Sequence, residues 1–255
     1  MSAERSEAGL VPSKTSPPGL VSFDRVTVLG RRIARMRRSV WGSAHWLQRA
    51  ARSKARCWFV TLTYRPGVTW AAWHVSRYID SLRKWCKTRG ASFRYVWVAE
   101  LQGRGAMHYH VAVWLPAALS LPLPDKSRMW VHGMSQRALA IAPIGYLMKY
   151  VSKGDTPMHQ FPKGARIYGV GGLCQDGKAV RSWLNLPEWC KRLHGVGEVA
   201  RLVGRLVVRA TGEVLDSPWR VEHVPGGLRL HLTRELPERL HSGPYSSLEA
   251  RYVAA

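Results

Sequence analysis

Acidic residues are scarce in this sequence. Against 39 Lys and Arg stand 16 Asp and Glu, giving a formal charge of +23 at pH 7 and a pI near 10.8. That imbalance points to a polyanionic partner, nucleic acid before an anionic membrane surface. Long apolar runs are also missing: none approaches the roughly 18 residues of a membrane span. A membrane partner would rest on charge alone, and none is expected. The opening MSAERSEAGLVPSKTSPPG lacks an apolar stretch, so no secretory signal is expected either. Four cysteines, Cys57, Cys86, Cys174 and Cys190, show no C-x-x-C spacing. This excludes a disulfide framework and a zinc knuckle, and reads as reduced, partly buried thiols in a cytoplasmic compartment. There is no G-x-x-x-x-G-K-[ST] run, hence no P-loop ATP site, and no internal repeat.

What is present can build a core, since 46% of the 255 residues are hydrophobic. The charge is spread along the chain: net +9 over 1–56, +9 over 57–160 and +5 over 161–255. The middle of the chain is therefore basic in its own right, and its folded surface is expected to meet the polyanion. Residues 1–24, rich in Ser, Pro, Gly and charge, read as a disordered lead-in. Residues 25–56 form a basic arm or helix carrying Arg31, Arg32, Arg35, Arg37 and Arg38, either solvated or phosphate-contacting.

A clearer alternation follows. Residues 57–64 (CWFVTLTY) are β-branched and aromatic, a buried strand ended by Pro66 and Gly67. Thr69 can cap a helix reaching about Thr88, with Trp73, Val75, Tyr78, Ile79, Leu82 and Trp85 at helical spacing. Residues 93–101 and 107–115 read as strands joined by a Gly-rich turn, 102–106. A short strand and turn are expected around 129–138, then a helix over 141–153 with Pro143 in its first turn and Gly154 at its end. This order predicts an α+β fold: a small central antiparallel β-sheet flanked by helices, here expected on one face. The domain would span 57–160. Residues 161–255 form a C-terminal extension, with β-ribbons expected over 195–235.

Two constellations carry chemistry. In His108-Tyr109-His110 the imidazoles share one face of a strand, because side chains alternate. A hairpin symmetric about Arg104 sets Glu100 opposite His108, on that same face. Glu100, His108 and His110 then offer one carboxylate and two imidazoles, a set suited to Mg²⁺ or Mn²⁺ with positions left for substrate oxygens. An H-x-H alone also fits two satisfied surface histidines; the register-matched Glu favours the ligand set. His45, His74, His132, His159, His194, His223, His231 and His241 lack such context and read as packing or surface residues. The second constellation is helical. Tyr146, Lys149, Tyr150 and Lys153 fall at i, i+3, i+4 and i+7, one stripe of two phenols and two ammoniums. Leu147, Met148 and Val151 face the core. A plain amphipathic helix reads the same way, but a cation beside a phenol also favours the phenolate and makes it a usable nucleophile.

Phe59-Val60-Thr61-Leu62-Thr63-Tyr64, the run from Glu100 to His110, and Tyr146-Leu-Met-Lys149-Tyr150-Val-Ser-Lys153 resemble, in order, the three motifs of HUH endonucleases. These are rolling-circle replication initiators of phages, plasmids and single-stranded DNA viruses, and the paired tyrosines most resemble the two-tyrosine type. The resemblance implies that Glu100, His108 and His110 hold the metal, that Tyr146 and Tyr150 are nucleophiles, and that Lys149 and Lys153 assist them. It implies nicking of single-stranded or hairpin origin DNA through a 5′-phosphotyrosine, freeing a 3′-OH for a host polymerase. Lacking an ATP site, the protein would need a host helicase. Arg104 and the arginines of 25–56 are expected to contact DNA. Two alternatives share parts of this picture. A transposase would use the same motifs; a conjugative relaxase fits less well, because its tyrosine usually precedes the histidines. A non-enzymatic nucleic-acid-binding protein would use the 12 tryptophans and the arginines for stacking and phosphate contact.

Overall fold

In β1 (Ala55–Tyr64), β2 (Arg94–Leu101) and β3 (Met107–Pro116), side chains on both sides are buried, and in β3 all but the last residue are. Strands buried on both sides need cover on both sides, and that demand shapes the fold. The computed structural model describes residues 28–51, 55–102, 105–152, 161–224, 227–236 and 238. The expected lead-in over 1–24 lies outside the described residues, as do Arg104, Lys153, Gly154, His159 and His241. Adding β4 (Gly133–Leu139) and β5 (Tyr168–Gly171) gives a five-stranded antiparallel sheet in the order β4-β1-β3-β2-β5. The α+β class expected from the sequence is the one observed.

Helices cover both faces of this sheet, not one. On the first face, α2 (His74–Lys87) buries Val75, Tyr78, Ile79, Leu82 and Cys86 against Val60, Leu62, Trp97, Tyr109 and Val111. Each such side chain, fully buried, contributes about 1.5–3 kcal/mol. The second face is covered by α1 (Val28–Ala51) and α3 (Pro143–Ser152). Here Met36, Val40, Ala44 and Leu47 of α1 meet Val96, Val98, Ala112 and Trp114, together with Leu147 and Val151 of α3. The apolar stripe of α1 runs between its arginines at steps of three and four, which is why a segment so basic still contributes to the core. Trp114 Nε1 donates to Gln48 Oε1 at 2.8 Å and ties that helix to the sheet.

Two local expectations need correction. The helix expected from Thr69 starts at His74, and the N-cap position is held by Trp73 with no side-chain cap bond. Thr69 therefore caps nothing there; the His74 N–H closes a turn on the Ala71 carbonyl instead, at 3.1 Å. Farther on, α4 (Gln175–Leu184) and α5 (Glu188–Leu193) precede the ribbons foreseen over 195–235. Val180, Trp183, Leu184, Trp189 and Cys190 join Val199 and Leu206 in a third cluster, beside Trp41 and Trp46 of α1. The ribbons are β6 (Val199–Leu202), β7 (Arg205–Val208) and β8 (Val214–Leu215) in one small sheet, and the hairpin of β9 (Trp219–Val224) and β10 (Gly227–Leu232). All four cysteines are free; three are buried, whereas Cys174 is exposed. Burial pushes the Cys57 thiol up to about 12 and the Cys86 thiol up to about 11. Among the described residues, no helix is long and apolar enough to cross a membrane.

Candidate active site

The β2–β3 hairpin sets the site. Its turn closes with Gln102 N–H to Ala106 O at 2.9 Å and Gly105 N–H to Gln102 O at 2.8 Å. Gly105 has a φ of 79°, a left-handed conformation that glycine adopts without a Cβ clash. This turn pairs Glu100 with His108, as the symmetry about Arg104 predicts, and β1 pairs Thr61 with His110 and Thr63 with His108. The even residues of β3 point to the second face, under α3.

On that face His110 Nε2 is 2.8 Å from Glu100 Oε2, and Thr61 Oγ1 is 3.3 Å from His110 Nδ1. Gln102 Nε2 donates to His108 Nδ1 at 3.2 Å, which leaves the neutral ring's proton on Nε2. Both imidazoles are buried, with ring centroids 6.5 Å apart. The helix α3 lies directly above. Its Tyr150 ring stacks on His110 at 3.5 Å between centroids and 12° between planes. Phe59 lies against both tyrosines, 5.4 Å from Tyr146 and 6.1 Å from Tyr150. Leu147 and Val151 anchor the helix in the core, whereas Tyr146 is 48% exposed and Lys149 is exposed.

The donors suit a divalent ion in type and face. Adjacent ligands about 2.1 Å from one octahedral ion stand about 3 Å apart, and the His110–Glu100 separation of 2.8 Å matches that edge. His108 is held by Gln102, and among the described residues no three His, Cys, Asp or Glu side chains converge into a ready metal cage. Three neighbours of the site, Phe59, Thr61 and Gln102, were not singled out from the sequence. Their signal was there: Phe59 and Thr61 sit two apart on a strand paired with β3, and Gln102 opens the Gly-rich turn.

The other histidines behave differently. On the opposite face His74 and His132 stack at 3.6 Å. His74 Nδ1 accepts from the Ala71 N–H at 3.3 Å and from the Tyr64 hydroxyl at 3.0 Å. Burial holds both imidazoles below their ordinary pKa, helped by Arg77 at both and by Arg65 at His132. Of the arginines singled out on α1, Arg31, Arg32, Arg35 and Arg38 line a cleft away from the tyrosines, while Arg37 Nε donates to Val151 O at 3.4 Å, on α3 itself.

Residues 57–155 match the family model described as Replication-associated protein ORF2. The matched segment, under half of the chain, contains β1 to α3 and thus every candidate ligand and both tyrosines. It supports a role in DNA replication. Comparisons with curated proteins and with solved structures find no match.

Proposed function

We propose that this protein initiates replication by cutting and rejoining single-stranded DNA through a tyrosine, as a nickase of the HUH, two-tyrosine type. The observation that carries the reading is Tyr150 stacked on His110, whose Nε2 meets Glu100, on a face that the matched replication segment builds. Glu100, His108 and His110 would hold Mg²⁺ or Mn²⁺, which when bound would polarise the scissile phosphate.

The chain's own groups do the rest. Phe59 and His110 fix the Tyr150 ring, so the phenol approaches DNA from a defined direction and little entropy is lost on reaction. The Tyr150 oxygen attacks phosphorus and loses its proton. The new O–P bond forms as the P–O3′ bond breaks, the 5′-phosphate stays on tyrosine, and the 3′ oxygen leaves as a hydroxyl after taking up a proton. Lys149, and Lys153 one turn further along the sequence, would offset charge developing on the phosphate. Tyr146, one helical turn before Tyr150 and more exposed, serves the second cut, after which the free 3′-OH attacks the first phosphotyrosine and closes the circle. The freed 3′-OH primes a host polymerase in the cytoplasm of the host cell, and a host helicase opens the duplex.

The test is incubation with Mn²⁺ or Mg²⁺ and end-labelled single strands carrying the replicon's own origin. A protein–DNA adduct that survives denaturation is expected from wild type and absent from Tyr146→Phe/Tyr150→Phe. Tyr150→Phe alone should remove most of the first-cut adduct, by a factor on the order of 10³. Binding without an adduct, on every origin-bearing strand tried, would leave a binding protein and sink the nicking reading.

A further inference from the structure

Away from the tyrosines, a cleft of about 1070 Å³ opens between α1, β5 and α4. From α1 it is lined by Arg31, Arg32, Arg35 and Arg38. Arg166 before β5, Lys178 and Arg181 on α4, and Arg201 on β6 complete the lining, and no Asp or Glu takes part. Among the described residues none of these eight cations is paired with an acid. Their partners are backbone carbonyls and a ring: Arg32 donates to Ala165 O, Arg201 to Gly204 O at 3.0 Å, and Arg166 lies over Trp97 at 5.8 Å. The floor is polar and fixed, with Asn185 Nδ2 donating to the buried Ser39 Oγ at 2.9 Å and Tyr168 OH to the same oxygen at 3.4 Å.

Gathering like charges from four separate elements works against folding, because each close pair repels. A protein that needed only net charge could scatter these residues. Concentrated in one cleft with no counter-charge, they make a site of high positive potential with low-dielectric walls, which focuses on a chain of anions. Tyr168 is the only aromatic in the lining, so the cleft grips phosphates and does not stack bases. It is also joined to the cutting site. On the same helix α1, Arg37 reaches α3, and Met36 and Val40 share a core cluster with Leu147 and Val151.

We infer that this cleft holds the phosphate backbone of origin DNA beyond the cut, so that elements outside the matched segment anchor the DNA that the tyrosine face cleaves. The inference rests on the DNA reading above but uses none of the candidate catalytic residues. The shared chemistry is a phosphodiester backbone, supplied by either a single strand or a hairpin stem.

The test compares the full-length protein with Lys178→Glu/Arg181→Glu, and with Lys84→Glu/Lys87→Glu, which makes the same charge change on α2 across the sheet. Binding of a fluorescent single strand and of a hairpin with a single-stranded arm is titrated at several salt concentrations. The cleft variant should bind at least about ten-fold more weakly, with a salt slope shallower by roughly 1.4 on single strands, as loss of two phosphate contacts predicts. Lys178→Arg/Arg181→Lys should bind as wild type does, which removes misfolding as the cause. A larger loss on the hairpin identifies the stem as occupant; equal losses identify a single strand. If the cleft variant binds both probes as wild type does, or if the α2 variant loses as much, the cleft is not a DNA site. Adduct formation is read separately. Cleft-dependent binding without an adduct overturns the nicking reading alone, and an adduct with cleft-independent binding overturns the cleft alone.

Discussion

The tyrosine face and the basic cleft lie on either side of α1 and are built on opposite terms. At the tyrosine face the groups are few, buried and mutually fixed: His110 touches Glu100 and Thr61, and Tyr150 lies on its ring. In the cleft the groups are many, longer and largely exposed, held by backbone carbonyls and not by one another. The first arrangement depends on position, because bond making fails when a reacting atom is displaced by an ångström. The second depends on the sum, since phosphate binding accumulates over contacts of similar weight. Single changes should therefore be severe in one region and graded in the other.

The sharpest way to break the contrast is His110→Ala. Cleavage should fall by a factor on the order of 10² to 10³ with DNA affinity within a few-fold of wild type. Comparable losses of binding and cleavage would mean that the tyrosine face also works by summed contacts. A structural probe comes next. A Cβ at Gly133 would collide with the backbone of Thr63 to Arg65, which β4 approaches closely. Gly133→Ala should cost roughly 1–3 kcal/mol in denaturant unfolding and weaken cleavage as β1 shifts under Thr61 and Thr63. An unchanged midpoint would show that the edge of the sheet tolerates movement that the site was argued not to tolerate.

A pH series separates a third region from both. His74 and His132 are held below the ordinary histidine pKa, so the unfolded chain takes up protons first as pH falls. Their contribution to stability is complete above about pH 6.5 and is lost progressively below it, toward the depressed folded value. The melting temperature should drop between about pH 7.5 and pH 5.5, and less so in His132→Phe. A flat profile in wild type would refute burial as the cause. The smallest effect belongs to the cleft: Arg35→Ala and Arg38→Ala should leave folding stability within about 0.5 kcal/mol, with any change toward stabilisation as repulsion is relieved. A large loss of stability there would make the arginines structural.

How far these regions were legible differs for a physical reason. Glu100 opposite His108 followed from a two-residue side-chain period and one turn, and the Tyr146–Tyr150 stripe from a 3.6-residue period; both are relations between residues close in sequence. The strand β5 was not foreseen because YGVG is short and carries no alternation. Its Gly169 exists as a strand residue only because the Trp97 ring fills the space a Cβ would take. Likewise Thr69 offered a cap that the chain does not use, since Trp73 and His74 are held by aromatic contacts with His132, far away in sequence.

By itself, then, the sequence determined the charge, the sheet-and-helix order, the hairpin register and the residues that share a face, because each is written in local periodicity. Only the tertiary structure decided that helices cover both faces and that Tyr150 rests on His110. It also decided that arginines from α1 meet those of α4 and β6 around one cleft. Those outcomes depend on which apolar stripes find each other across the fold, and no local pattern specifies a partner more than a hundred residues away, as Val40 and Leu147 or Ser39 and Asn185 are.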